Sequence, residues 1–213
     1  MIKGGEMKKG FGVILCTLLC VLSAFFFWGC GGSGPGEPGS SGSADTGIFV
    51  RVSVVTHSDP NGDSGDNWDI DLAQDRCTET TVEPWGNDFM HVVFNGESLN
   101  SNLGSTNELF VTNYKVTFTK VNPDLPTIEQ MSFGSQSGIN ILPGTATGPF
   151  SFLVLDFGRK LKIQNDLSSG INNVSPPLLY NMKVEMFGQD KFGNSVTFAP
   201  IERVIDIADF NHC

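Results

Sequence analysis

The sequence is poor in histidine, in basic residues and in cysteine, and each shortage removes a class of function. Three histidines, His57, His91 and His212, are scattered through 213 residues, and no Cys-x-x-Cys pair occurs. A zinc site of the usual four-ligand spacing is therefore not expected. Lys and Arg number 13 against 23 Asp and Glu, for a net charge of −10. With no basic stripe to neutralise phosphates, nucleic acid is not an expected partner; the short "GRKLK" at 158–162 does not change that. Also missing are a Walker loop, a dinucleotide-binding glycine pattern, a haem attachment motif and paired carboxylates at a catalytic spacing. No long amphipathic helical pattern can be traced either, which turns the reading toward strands.

What is present begins with one long hydrophobic run. In "MIKGGEMKKGFGVILCTLLCVLSAFFFWGCGGSG", Lys3, Lys8 and Lys9 precede an almost wholly apolar stretch from Phe11 to Trp28. It has the order of a signal segment, a charged start, an apolar core and a small-residue exit, and it is long enough to enter a bilayer. The exit "FWGC" resembles the lipobox of bacterial lipoproteins, with Gly29 before the cut and Cys30 as the acylated residue. It departs from that pattern at Phe27, where leucine is usual, and at the bulky Trp28. The alternative is an uncleaved transmembrane anchor. Either way the lysines hold the N-terminus inside and the rest of the chain lies outside the cytoplasm. Acyl chains on Cys30 would make the membrane the one definite partner. Glycine rather than aspartate follows the cysteine, so the resemblance implies the outer membrane.

The expected division is a signal peptide over 1–29, a lipidated cysteine with its tether over 30–46, and one folded domain over 47–213. Removing residues 1–29 takes three lysines and one glutamate and leaves 10 basic and 22 acidic residues. The tether, "GGSGPGEPGSSGSADT", is a flexible coil of Gly, Ser and Pro with a root-mean-square span of roughly 20–24 Å. Cys16 and Cys20 fall in the apolar segment and Cys30 at its exit, so two cysteines remain, Cys77 and Cys213. An oxidising envelope and an even count predict that they pair; the alternative is two separate thiols.

The domain reads as all-β. "GIFVRVSVVT" alternates, with Ile48, Val50, Val52 and Val54 assigned to one face, and "WDIDLA" places Trp68, Ile70 and Leu72 together. "DFMHVVFNG", "YKVTFTKV", "PFSFLVLDF", "LLYNMKVEMFG" and "SVTFAPIERVIDIADF" continue the pattern, rich in β-branched and aromatic residues. Turn signals such as "DPNGD", "VNPDLP" and "QDKFGN" separate them, and "GRKLKIQNDL" alone suits a short helical connection. About seven or eight strands predict a single antiparallel sandwich, closed by the hairpin "MKVEMFGQDKFGNSVTF". Tyr180 sits either at a tyrosine corner or in an ordinary core position. With the lipobox, the tether, "CTETTVEPWGNDF", "FGQDKFGNSVTF" and the ending "ADFNHC", the chain resembles bacterial envelope lipoproteins that carry an immunoglobulin-like β-sandwich. That resemblance implies a fold and an envelope location, and no activity.

Chemistry is concentrated in "HSDPNGDSGDNWDIDLAQDRC", residues 57–77, with six aspartates. Its GDSG lacks the following GGP of trypsin-like proteases. His57 lies in the same short segment as Ser64 rather than on a separate rigid element, so a serine hydrolase is not expected. Asp59, Asn61, Asp63 and Asp66 are similar to the first half of an EF-hand loop and supply the oxygen ligands that calcium prefers. Ser64 replaces the loop glycine and Ile70 the closing glutamate, so a true EF-hand is excluded. The alternative is a turn of residues that bond their own backbone. Strand alternation assigns Asp69 and Asp71 to a solvated face. His91 is expected on a sheet face, His212 beside the disulfide, and Trp85 either exposed for sugar or peptide contact or plugged into a loop. The leading expectation is a non-enzymatic envelope protein with a binding or structural role toward an unidentified protein or glycan. A calcium-dependent association module on the 59–71 loop is the first alternative, an envelope enzyme acting on glycan or peptide the second; no cofactor is expected besides calcium.

Overall fold

A computed structural model describes residues 47–60, 64–98 and 108–210. Cys30, Asn61, Asp63, His212 and Cys213, all named above, lie outside them. The described residues form ten strands and one helix: β1 (Ile48–Ser58), β2 (Ser64–Gly65), β3 (Asp69–Asp71), β4 (Asp88–Ser98), β5 (Leu109–Lys120), β6 (Met131–Ile141), β7 (Ala146–Leu155), α1 (Phe157–Ser168), β8 (Leu178–Asp190), β9 (Ser195–Thr197) and β10 (Ile201–Ala208). The all-β expectation holds.

Two sheets result. One has the order β2-β1-β4-β7; the other is β3-β10-β8-β5-β6, with β9 also on β8. Pairing is antiparallel except between β3 and β10. Alternation fixes the inner faces: Met90, Val92 and Phe94 of β4, and Leu178, Tyr180, Met182, Val184 and Met186 of β8, are fully buried. Their side chains belong to one core. Phe94 of the first sheet lies 6.1 Å from the ring of Phe198, just past β9 in the second. The Tyr114 hydroxyl on β5 accepts from the Leu153 amide of β7 at 3.0 Å.

Three sequence expectations are corrected. The alternation of β1 does not run unbroken from Ile48 to Val54. Its register against β4 slips between Val52 and Val54, so Val52, Val55 and His57 stand opposite the buried Phe94, Val92 and Met90. A β-bulge of this kind inserts one residue and inverts the phase beyond it. Second, "SVTFAPIERVIDIADF" is two strands, because Pro200 has no amide hydrogen to continue a ladder. Third, β6, "MSFGSQSGINI", was not among the expected strands. Its glycines and serines hide its pattern, and it stands at an edge of its sheet's main path, hydrogen-bonded to β5.

The helix follows from "DFGRKLKIQNDLS". Asp156 caps it, its carboxylate accepting from the Arg159 amide at 3.0 Å. Ile163 is buried and Leu167 packs against the core, and one turn before Ile163 the same side carries Lys160, which is fully buried. A charge thus occupies a position where helical periodicity calls for an apolar residue.

Candidate functional site

The bulge in β1 and the burial of Lys160 have one destination. His57, turned inward at the end of β1, meets Asp88, the first residue of β4: Nε2 lies 3.2 Å from Oδ1. The Lys160 Nζ lies 2.6 Å from the other oxygen, Oδ2. Asp88 and Lys160 are both fully buried, and His57 is 4% exposed. The Trp68 ring covers the imidazole, with centroids 5.4 Å apart.

Two further carboxyl groups are buried, and Asp71 feels the charge of both Lys160 and Glu83. Asp71, expected on a solvated face, is only 3% exposed. The correction has a structural reason: β3 is three residues long, and both the chain after it and the C-terminal segment fold over it. Asp71 Oδ1 accepts from the amides of Ala73 at 3.2 Å and Phe210 at 3.1 Å, and the Asp71 carbonyl accepts from Trp85 Nε1. Burial pushes the Asp71 carboxyl above the ordinary carboxylate range. The two amide hydrogen bonds work against that shift, nearby Glu83 adds to it and Lys160 opposes it. Glu83 is fully buried, and its Oε2 accepts from the Asp75 amide at 3.1 Å. Three acids, one lysine and one histidine are therefore buried, with His57 and Lys160 both on Asp88. Trp85, half-buried, lies edge-on to Phe157 at 4.7 Å, which is the loop-plug reading of that residue.

The acidic loop keeps its expectation without further support. Ser58 pairs with Ser64 and His57 with Gly65, so 59–63 connects a hairpin. Of the four candidate calcium ligands, Asp59 and Asp66 fall within the described residues and Asn61 and Asp63 do not. Among the described residues no group of three or more His, Cys, Asp or Glu is placed to hold a metal ion.

His91 lies on the outer face of its sheet, as expected. Its Nε2 is 2.7 Å from Ser58 Oγ and its Nδ1 is 2.9 Å from Ser151 Oγ. A serine nucleophile needs a base oriented by a third, charge-stabilising group, and here hydroxyls sit at both nitrogens. Tyr180 is a core tyrosine whose hydroxyl donates to the Pro126 carbonyl, 54 residues upstream, at 2.8 Å. A tyrosine corner would reach back only a few residues.

A more open concavity lies elsewhere. A cleft of about 610 Å³, in the size range of small-ligand sites, lies between β1 and the segment joining β9 to β10. It is lined by Phe49, Arg51, Val55, Phe198, Ile201 and Arg203 among others. Along this side β1 pairs with β2 only at His57 and Ser58, and β10 pairs with β3 only at its last three residues. Two partly open strand edges face the cleft, with arginines on them of the kind that discourage uncontrolled pairing.

Sequence reasoning found His57 and Asp71 but assigned them to a loop and to a solvated face. It missed Asp88, Glu83 and Lys160. The available signal was Lys160, a charge in phase with Ile163 and Leu167. No family model matches this chain, and neither a curated protein nor a solved structure does.

Proposed function

We propose that this protein is a lipid-anchored component of a bacterial cell envelope, held through Cys30, whose folded domain has a non-enzymatic structural or binding role. One observation carries the reading of the role. The groups best suited to chemistry, Asp88, Lys160, Glu83, Asp71 and His57, are all turned into the interior. In that position they brace the helix, the loop over β3 and the ends of two strands against one another. They are not presented to a substrate. The open edges at the β1–β10 cleft give the binding side of the reading a place, since an exposed strand edge accepts an extended segment.

The immunoglobulin-like assignment belongs to the same proposal and is supported by two largely antiparallel sheets that share one core. So does the Cys77–Cys213 bridge. Cys77 is engaged rather than free, and the Phe210 amide hydrogen-bonds Asp71 in the strand that precedes Cys77.

Two measurements test this. Metabolic labelling with palmitate should mark the full-length protein in bacterial membranes, and Cys30→Ala should lose the label; a label that survives the substitution overturns the anchor. Acetylation of the native protein should modify Lys115, Lys120, Lys162 and Lys183 and leave Lys160 untouched. Modification of Lys160 in the folded state would mean that the cluster is open to substrates, and the structural reading would fall.

A further inference from the structure

The contact between Lys160 and Asp88 is not an ordinary ion pair. Nζ lies 2.6 Å from Oδ2, yet neither atom has a partner in hydrogen-bond geometry. The nitrogen is therefore pressed against the carboxyl group without the alignment that stabilises a salt bridge. Both residues are fully buried. Two opposite charges taken from water with Nζ and Oδ2 both lacking hydrogen bonds are costly to hold, and water that would hydrolyse or solvate a product is kept out. His57 donates toward the other carboxyl oxygen at 3.2 Å when that nitrogen carries the proton, which polarises the carbon. Asp71 supplies a third feature: its Oδ1 is fixed by two backbone amides while its Oδ2 is buried with no hydrogen-bond partner.

We infer that Lys160 and Asp88 condense into an intramolecular amide, a covalent cross-link between α1 and the start of β4, with Asp71 as the proton carrier. The step begins with transfer of a proton from the ammonium to the carboxylate, which leaves an amine and a carboxylic acid. The Nζ lone pair attacks Cγ of Asp88 and the C=O π pair moves to oxygen. Asp71 donates its proton there and recovers one from the nitrogen. Collapse of the tetrahedral centre re-forms the carbonyl and breaks the second C–O bond. Asp71 gives its proton to the departing hydroxyl and takes the proton of the remaining one. One amide and one water result, Asp71 is restored, and no oxidant, metal or nucleotide is consumed. Burial displaces the Asp71 carboxyl above the ordinary carboxylate range, the direction that suits a proton carrier.

The product also removes one positive and one negative charge from the interior, which relieves the cost of burying them. A covalent tie between the helix and the strand suits a domain displayed outside the cytoplasm, although the chemistry does not depend on that location.

The test is peptide mapping of the full-length protein after thiol reduction and denaturation. A branched peptide is expected in which the segment carrying Asp88 is joined to Lys160 with the loss of one water, and trypsin fails to cut after Lys160. Linear peptides with free Lys160 and Asp88, or a water loss located at any other residue, overturn the proposal. Asp71→Asn keeps His57, Asp88 and Lys160 in place, and should yield a folded protein with linear peptides only. A branched peptide in that variant would remove Asp71 from the mechanism. Lys160→Arg, which cannot form the same amide, gives the linear reference map.

Discussion

Replacing Lys160 with methionine is the most demanding perturbation, because it removes the cross-link and also leaves the Asp88 carboxyl buried without the lysine nitrogen. Methionine matches the length of the lysine stem and suits the face shared with Ile163 and Leu167, so packing changes little. The charge, however, is lost, and Asp88 is left in the interior with His57 as its remaining partner at 3.2 Å. Removing one member of a buried pair costs about 3–5 kcal/mol. The cross-link would also be lost. Joining positions 88 and 160 closes a loop of roughly 70 residues, and by the chain-entropy relation its release costs about 4 kcal/mol. The sum is roughly 7–9 kcal/mol, and each kcal/mol moves the melting temperature of a domain this size by about 2–4 °C. Urea unfolding followed by Trp68 and Trp85 fluorescence measures it. Asp71→Asn, in which Lys160 and Asp88 remain an unlinked pair, should lose the loop term while Asp88 keeps a cationic partner. If Lys160→Met unfolds within about 1 kcal/mol of the wild type, both the buried pair and the cross-link are wrong.

Other consequences are more local. Asp206 and Asp69 stand side by side in the parallel pairing of β10 with β3, and burial together with the Asp69 charge pushes the Asp206 carboxyl above its usual range. A carboxyl raised in the folded state contributes most below its unfolded value and costs stability as pH rises through its folded one. Asp206→Asn should therefore stabilise at pH 7, by about 0.2–1 kcal/mol as for like charges on neighbouring strands. That gain should vanish below the carboxylate range, and a gain that persists in acid would contradict the assignment. Gly188 has no room for a side chain, since a Cβ there would fall 2.1 Å from the Phe110 carbonyl oxygen and 3.0 Å from the Phe198 ring. Gly188→Ala should cost about 1–3 kcal/mol, read as a lower unfolding midpoint, and an unchanged midpoint would mean that β5 and β8 are spaced more loosely.

The sequence determined the elements whose information is local. Alternation in "DFMHVVFNG" and "LLYNMKVEMFG" identified the inner faces of β4 and β8, since a strand's side chains alternate whatever it pairs with. "QDKFGN" announced its turn, and there Asp190 accepts from the Phe192 and Asn194 amides while Gly193 takes a φ of +87°. The helix over "GRKLKIQNDL" was legible for the same reason, a capping aspartate ahead of good helix formers. β6 was not, because a glycine- and serine-rich edge strand owes its state to its partner and not to its own residues.

The charged cluster was beyond local reading altogether. His57, Asp71, Glu83, Asp88 and Lys160 come from a strand end, a three-residue strand, a loop, a strand start and a helix. No spacing along the chain relates them. The bulge after Val52 decided that His57 faces inward, and the fold of the loop and C-terminal segment over β3 decided that Asp71 does. Burial is a property of the assembled sheets, and a carboxylate that alternation assigns to water changes its chemistry once another segment covers it.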